Sequence, residues 1–343
     1  MKIILANPRG FCAGVYMAID VVDQLLDICP DETIYVYHEI VHNMHVVNRF
    51  RDRGVKFIEE LSEVPNGSIV VFSAHGVSPA LRAEAHERNL TAVDATCPLV
   101  TKVHHEVKVR AGKGFHIVYV GHEGHEEAVG TMAVAPDAIT RVETVDEVNA
   151  LPDFDRPVAM LAQTTLSHRE WHEVAVSVRG RFPDVWTPGR SDLCFATTNR
   201  QTALMEIAPR VDAFVVIGSS NSSNTRALER LAGEAGCSRV LRINSADELP
   251  HDLSGTVGVT AGASAPDELV SRVLAALAPR LGVEEIFVTE EDEYFPPPRN
   301  IRDLQSAVGA AVASMSGADV RTAPPLDDRA LAASTVLEAL SRA

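Results

Sequence analysis

Basic residues are scarce in this chain: 31 Lys and Arg stand against 47 Asp and Glu, a net charge of −16. Such a field repels a phosphate backbone and excludes nucleic acid as a partner held by long-range attraction. Long apolar runs are missing too. The opening MKIILANPRG is too short for a signal peptide and no stretch approaches bilayer length, so no membrane partner is expected and the cytoplasm is the expected compartment. Cysteine is sparse, with five residues at 12, 29, 97, 194 and 237. An odd, scattered set without an export signal argues against a disulfide framework and leaves free thiols or metal ligands. No CxxC pair and no Walker-type phosphate loop is present.

What is present is an alternation. The chain has 343 residues with 46% hydrophobic content, enough for two or three domains. Short runs rich in β-branched residues (KIILA, TIYVY, SIVVFSA, FHIVYVG, VAMLAQ, AFVVIG and TVGVTAG) are each followed by an amphipathic helical stretch, which reads as an α/β fold with parallel sheets. Ser78, Ser167 and Ser264 mark helix starts.

The loops after these runs repeat. HEIVHNMHVV from residue 38, GHEGHEEAVG from 121 and GSSNSSNTRA from 218 are 83 and 97 residues apart. AHGVSP, AQTTLS and AGASAP are 88 and 99 apart, and Cys12, Cys97 and Cys194 are 85 and 97 apart. Three series with one step imply a module of about 90 residues present three times around a pseudo-threefold axis. The modules fall at 14–97, 98–193 and 194–300, the last completed by the strand 1–13, with 301–343 as a C-terminal extension. Ligands of parallel sheets bind beyond the carboxyl ends of the strands, so the loops and cysteines should meet at one central cavity.

Cys12, Cys97 and Cys194 each stand where a strand or loop gives way to a helix, a position that favours a thiolate. They could hold zinc with a histidine, or an iron-sulfur cluster with one iron lacking a protein ligand. Ligands in close pairs, usual for structural zinc, are absent, while one ligand per module suits a cluster on a shared axis. Cys29 and Cys237 read as small hydrophobes. His42, His75 and His125, with Ser222, Ser223, Asn224 and Ser264, form a set suited to phosphate or diphosphate. Glu127 becomes a candidate proton donor if its loop faces a dry cavity, with the neighbouring Glu123 and Glu126 as alternatives, and Thr164 and Thr165 offer hydroxyls at an equivalent strand end.

The motifs GFCAGV, VHN, FSAHGVS, DATCPLVTKVH, GHEGHEE, QTTLS, CFATTNRQ, GSSNSSN and GVTAGASAP, in this order to about residue 300, resemble the 4-hydroxy-3-methylbut-2-enyl diphosphate reductases of the non-mevalonate isoprenoid pathway. The resemblance implies a trefoil around a [4Fe-4S] cluster held by Cys12, Cys97 and Cys194. The substrate hydroxyl would meet the open iron, and oxygen exposure is expected to yield a [3Fe-4S] form. It also implies that His42, His75, His125, Thr164, Thr165, Ser222, Ser223, Asn224 and Ser264 bind the allylic diphosphate and that Glu127 supplies the proton. Two single electrons from a ferredoxin or flavodoxin would then give isopentenyl and dimethylallyl diphosphates. Glu126 stands where many relatives have proline, and the tail is longer than usual. The competing readings are a zinc-dependent hydrolase of a phosphorylated metabolite and a non-catalytic cluster-bearing redox sensor.

Overall fold

The computed structural model describes residues 1–303, 305 and 306, and most of the 301–343 extension lies outside the described residues. The chain begins with β1 (Lys2–Asn7) and α1 (Ala13–Ile28), then forms β2 (Ile34–Tyr37), α2 (Met44–Asp52), β3 (Lys56–Ile58), β4 (Ile69–Phe72), α3 (Pro79–Glu87) and β5 (Thr91–Asp94). It continues through α4 (Pro98–Gly112), β6 (His116–Val120), α5 (Glu126–Met132), β7 (Ile139–Val142), α6 (Val145–Asn149), β8 (Val158–Ala162) and α7 (His168–Arg181). The last stretch carries α8 (Phe195–Ile207), β9 (Ala213–Ile217), α9 (Ser223–Glu234), β10 (Val240–Ile243), β11 (Thr256–Ala261), α10 (Asp267–Leu277) and β12 (Val283–Phe287).

These strands form three sheets, ordered β3-β2-β4-β5, β7-β6-β8 and β10-β9-β11-β1-β12. Every pairing is parallel. The fold is thus α/β with three parallel sheets flanked by helices. The seven apolar runs are β1, β2, β4, β6, β8, β9 and β11, because a strand covered on both faces needs an apolar side chain at nearly every position. β6, β8 and β9 are buried at all five of their residues. The second sheet's place beside β8 is taken only by a parallel bridge from Ala159 to Trp186.

The N-terminal strand closes the third sheet, Lys2 pairing with Thr256 and Ile3 with Val283. Each helix that follows a predicted cysteine then packs on the next sheet along the chain. Val15, Ile19, Val22 and Leu25 of α1 join Ile34, Val36 and Val71. Val103 and Val107 of α4 join Ile117, Tyr119 and Leu161, and Leu204 and Ile207 of α8 join Phe214 and Val216. The cysteines therefore stand at the seams where one module hands the chain to the next.

Local signals are borne out in part. Ser78 caps α3 by accepting from Leu81 N–H at 3.1 Å, and Ser167 caps α7 in a reciprocal box with Glu170. α10 instead begins after Pro266, and the Ser264 hydroxyl donates to the His42 carbonyl at 2.9 Å. Cys237 is buried in the third module's core, whereas Cys29 is half-exposed at the C-terminal end of α1, unlike the buried hydrophobe expected.

Phe214 is fully buried at the centre of the third sheet, and its ring lies where a Cβ on Gly258 would come within 2.8 Å. Phe214→Ala should destabilise the protein by ~3–5 kcal/mol, read as a lower denaturant midpoint. A shift below ~1 kcal/mol would show that this core collapses around the gap.

Candidate active site

Loops beyond the carboxyl ends of β4, β6, β8, β9 and β11 meet at one cavity, which is lined by every candidate ligand and substrate-binding residue named from the sequence. Cys12, Cys97 and Cys194 stand in its wall with His42, His75, His125, Glu127, Thr164, Thr165, Ser222, Ser223, Asn224 and Ser264. The backbone repeats this threefold arrangement. Cys12 N–H donates to Ala263 O at 3.1 Å, Cys97 N–H to Ala74 O at 3.0 Å and Cys194 N–H to Thr164 O at 3.0 Å. Each acceptor belongs to one of the loops AGASAP, AHGVSP and AQTTLS, so two of the repeating series are joined by three equivalent hydrogen bonds.

Each cysteine occupies the N-cap of a helix: α1, α4 and α8. The Cys194 sulfur accepts from Thr197 N–H at 3.3 Å. The three side chains feel one another. Burial first, then Cys12, pushes the Cys97 thiol far above its ordinary value, and the same two causes push Cys194 up to about 11. Burial thus outweighs the helix N-terminus, and Cys97 and Cys194 favour the thiol where the sequence position alone favoured a thiolate, so a metal held by them would have to displace their protons. Close approach has a steric condition. A Cβ on Gly14 would sit 2.7 Å from Cys97 Sγ, so glycine at that position lets the second seam meet the first.

Across the cavity, Glu127 is 2% exposed. Its Oε1 accepts from Thr164 N–H at 2.7 Å and its Oε2 from Thr164 Oγ1 at 3.0 Å. Burial pushes its carboxyl up to about 7 against the opposing Thr164 hydrogen bonds, with Asp192 adding in the same direction. It is a carboxyl that can carry a proton near neutrality, with a hydroxyl between it and the cavity. Thr165 Oγ1 is held by Gln163 Nε2 at 2.9 Å.

The histidines form a compact group. His42 stacks on His75 with centroids 4.0 Å apart, and both meet His125 edge-on at 5.5 and 6.0 Å. His125 Nδ1 accepts from Glu127 N–H, which leaves Nε2 to carry the ring proton, and burial followed by His75 and His42 drives its pKa down to about 2. The N-terminus of α9 adds Ser222 as its cap and Ser223, whose hydroxyl lies 3.2 Å from His122 Nδ1. Asn224 is buried, yet its Nδ2 and Oδ1 have no hydrogen-bond partner among the described residues. A buried amide left with both ends open beside imidazoles and a helix N-terminus matches a polar anionic ligand.

Sequence reasoning missed several contributors. Gln163 bridges the Thr165 and Ser223 hydroxyls and accepts from His122 N–H at 3.0 Å. Arg200, fully buried, donates to Gly10 O at 2.8 Å and pairs with Glu291 at 3.0 Å, tying the loop before Cys12 to the helix after Cys194. Both lie in or beside quoted motifs, QTTLS and CFATTNRQ, but an arginine reads as a surface charge until its carbonyl partners are known. Glu126 turns away from Thr164 and contacts His38 Nδ1 at 3.3 Å and His75 Nδ1 at 2.8 Å. Among the described residues no helix is long and apolar enough to cross a membrane.

Fold and site together define an α/β protein of three parallel sheets whose seams converge on one cavity lined by three thiols, a histidine cluster and a buried acid. The chain belongs to the LytB protein family, whose model matches residues 3–278. Proteins named 4-hydroxy-3-methylbut-2-enyl diphosphate reductase are 48% identical over 311 residues in Mannheimia succiniciproducens, covering 88% of this chain and 98% of that one, and 46% identical over 307 residues in Chlamydia trachomatis serovar L2b, covering 88% and 99%. The solved structure of the Plasmodium falciparum E-1-hydroxy-2-methyl-but-2-enyl-4-diphosphate reductase matches with a TM-score of 0.86 at 32% identity, over 90% of this chain and 98% of that one. A second, of (E)-4-hydroxy-3-methyl-but-2-enyl diphosphate reductase, matches at 0.60 with 30% identity, over 81% and 99%.

Gly14→Ala should crowd Cys97 away from the shared centre and weaken metal binding about tenfold, whether the metal is iron or zinc, while thermal unfolding of the metal-free protein stays close to the parent. Unchanged metal content per chain would show that the seams can separate without losing the site.

Proposed function

We propose that this chain catalyses the reductive dehydroxylation of (E)-4-hydroxy-3-methylbut-2-enyl diphosphate to isopentenyl and dimethylallyl diphosphates. The observation that carries it is the meeting, in one cavity, of three thiols from three modules with a buried acid and an unpaired amide beside a histidine cluster. On this reading the modules are 14–97, 98–193 and 194–300 with the strand 1–13, and each seam contributes one ligand. Cys12, Cys97 and Cys194 hold a [4Fe-4S] cluster, and the donor set fits it: sulfur only, mutually coupled and spread around an axis. When bound, the cluster supplies single-electron transfer and the Lewis acidity of an iron without a protein ligand.

The chain's own residues do the rest. His42, His75, His125, Ser222, Ser223, Asn224 and Ser264 bind the diphosphate, and the N–H dipoles at the start of α9 favour its charge. Thr164 and Thr165 place hydroxyls beside the carbon skeleton. Glu127, kept neutral by burial, passes its proton through the Thr164 hydroxyl to the departing oxygen, which leaves as water. The reaction consumes two electrons and two protons: one proton leaves with the oxygen in water, the other adds to the allylic carbon skeleton, and a ferredoxin or flavodoxin would supply the electrons one at a time to a one-electron cluster. The family match and the reductase names of relatives spanning nearly the whole chain support this assignment.

The direct test is iron and sulfide quantification of anaerobically prepared protein, combined with turnover driven by an artificial reductant. Cluster-loaded protein should consume the allylic diphosphate, whereas a colourless, zinc-replete protein without sulfide would overturn the proposal. Glu127→Gln should lower kcat by at least ~10²-fold while iron content is retained, and near-normal turnover would remove Glu127 as proton donor. The pH sign follows from the raised carboxyl: the protonated form dominates below its value of about 7, so kcat should fall as pH rises through about 7. A kcat that rises across that range would contradict the acid role.

A further inference from the structure

Two charged groups stand behind the anion pocket without lining it. Glu126, the first residue of α5, reaches back between the ends of β2 and β4. Its Oε1 lies 3.3 Å from His38 Nδ1 and its Oε2 lies 2.8 Å from His75 Nδ1. His38 follows β2 in the left-handed backbone region (φ 56°), stacks on Tyr37 with ring centroids 4.1 Å apart, and its Nε2 lies 3.5 Å from the exposed Glu59. The neighbouring pocket histidine is built in the same way: His42 Nδ1 lies 3.2 Å from Glu39, which also accepts from Asn221 at 2.8 Å.

A carboxylate beside a diphosphate site is unfavourable unless it is balanced and its partner's proton is turned toward the ligand. Resting on the diphosphate reading above, we propose that Glu126 and His38 are a charge-balanced positioning pair. Glu126, against the Nδ1 edge of His75, favours the doubly protonated ring, whose Nε2–H then faces the diphosphate, and His38 cancels the Glu126 charge that would otherwise repel it. The ring contact of His75 with Glu126 on one side and with His42 on the other leaves Nε2 as the nitrogen free for the ligand. Titration follows the geometry. Glu126 raises the pKa of His38, while burial and then His42 lower that of His75 and Glu126 pushes it back up. Burial opposes the Glu126 charge, yet His38 and His75 hold its carboxyl well below the usual range. The other titratable groups facing this trio are Glu39, Glu59, Glu60, Tyr37, His42 and His125.

The sign of the expected effect is specific to a charge-setting role. Removing the Glu126 charge lets His38 and His75 lose their protons at lower pH. Toward the acidic end protonation of both rings increases in parent and variant alike, and the variant lacks a repelling carboxylate. Calorimetric binding of inorganic diphosphate to the cluster-loaded protein, followed from about pH 5 to about pH 8, reads this directly. Glu126→Gln should bind at least as tightly as the parent at the acidic end and roughly tenfold more weakly at the alkaline end. At the acidic end His38→Asn, chosen because asparagine tolerates the left-handed backbone, should weaken binding about tenfold, and adding Glu126→Gln to it should recover most of that loss. A ratio of affinities flat with pH, or losses that simply add in the double variant, would overturn the pair while leaving the diphosphate reading intact. A parent protein that fails to bind inorganic diphosphate would overturn the diphosphate reading, and the pair with it.

Discussion

The N–H of each cysteine is committed to a carbonyl in a loop at the end of a neighbouring strand, and these three hydrogen bonds hold the seams of the molecule together. Everything functional depends on that closure. A strand ends one sheet, a cysteine turns the corner, and the following helix packs its apolar face on the next sheet. Sequentially distant thiols are thereby fixed as neighbours before any metal arrives, and the strand-end loops that carry histidine, threonine, serine and asparagine are gathered around them. Gly14 shows how little slack there is, since one methyl group there would occupy the space of the Cys97 sulfur.

Burial is the second organising force. It favours the protonated thiols of Cys97 and Cys194 and a neutral His125, and it lifts the Glu127 carboxyl to about 7, where it can carry or release a proton. On the proposed function, metal binding would displace the thiol protons, the diphosphate would recharge the imidazoles and the departing oxygen would take the carboxyl proton. Glu126 works against this trend, a carboxylate stabilised by two histidines in a region otherwise arranged to stay neutral.

Central strands were legible in the sequence because coverage on both faces makes them continuous apolar runs. The five strands that were not, β3, β5, β7, β10 and β12, all lie at sheet edges, where half-exposed residues blur the pattern; β12 alternates exposed and half-buried positions along its length. The cavity wall was legible because repeated loops carried uncommon residues in register. Residues that act through others were not. Arg200 and Glu126 look like surface charges in one dimension, and only the carbonyls of Gly10 and the rings of His38 and His75 reveal their partners. Ser264 reads as a helix cap but is drawn to the His42 carbonyl, a contact across 222 positions that no local signal encodes.

The central claim is that three seam thiols share one iron-sulfur centre with a position left for substrate. Mössbauer spectroscopy of isotopically iron-enriched, anaerobically prepared protein tests it most directly. The account predicts three iron sites of one kind and a distinct one whose signal alone shifts when the allylic diphosphate is added. Four equivalent irons unaffected by substrate, or no cluster signal at all, would contradict it.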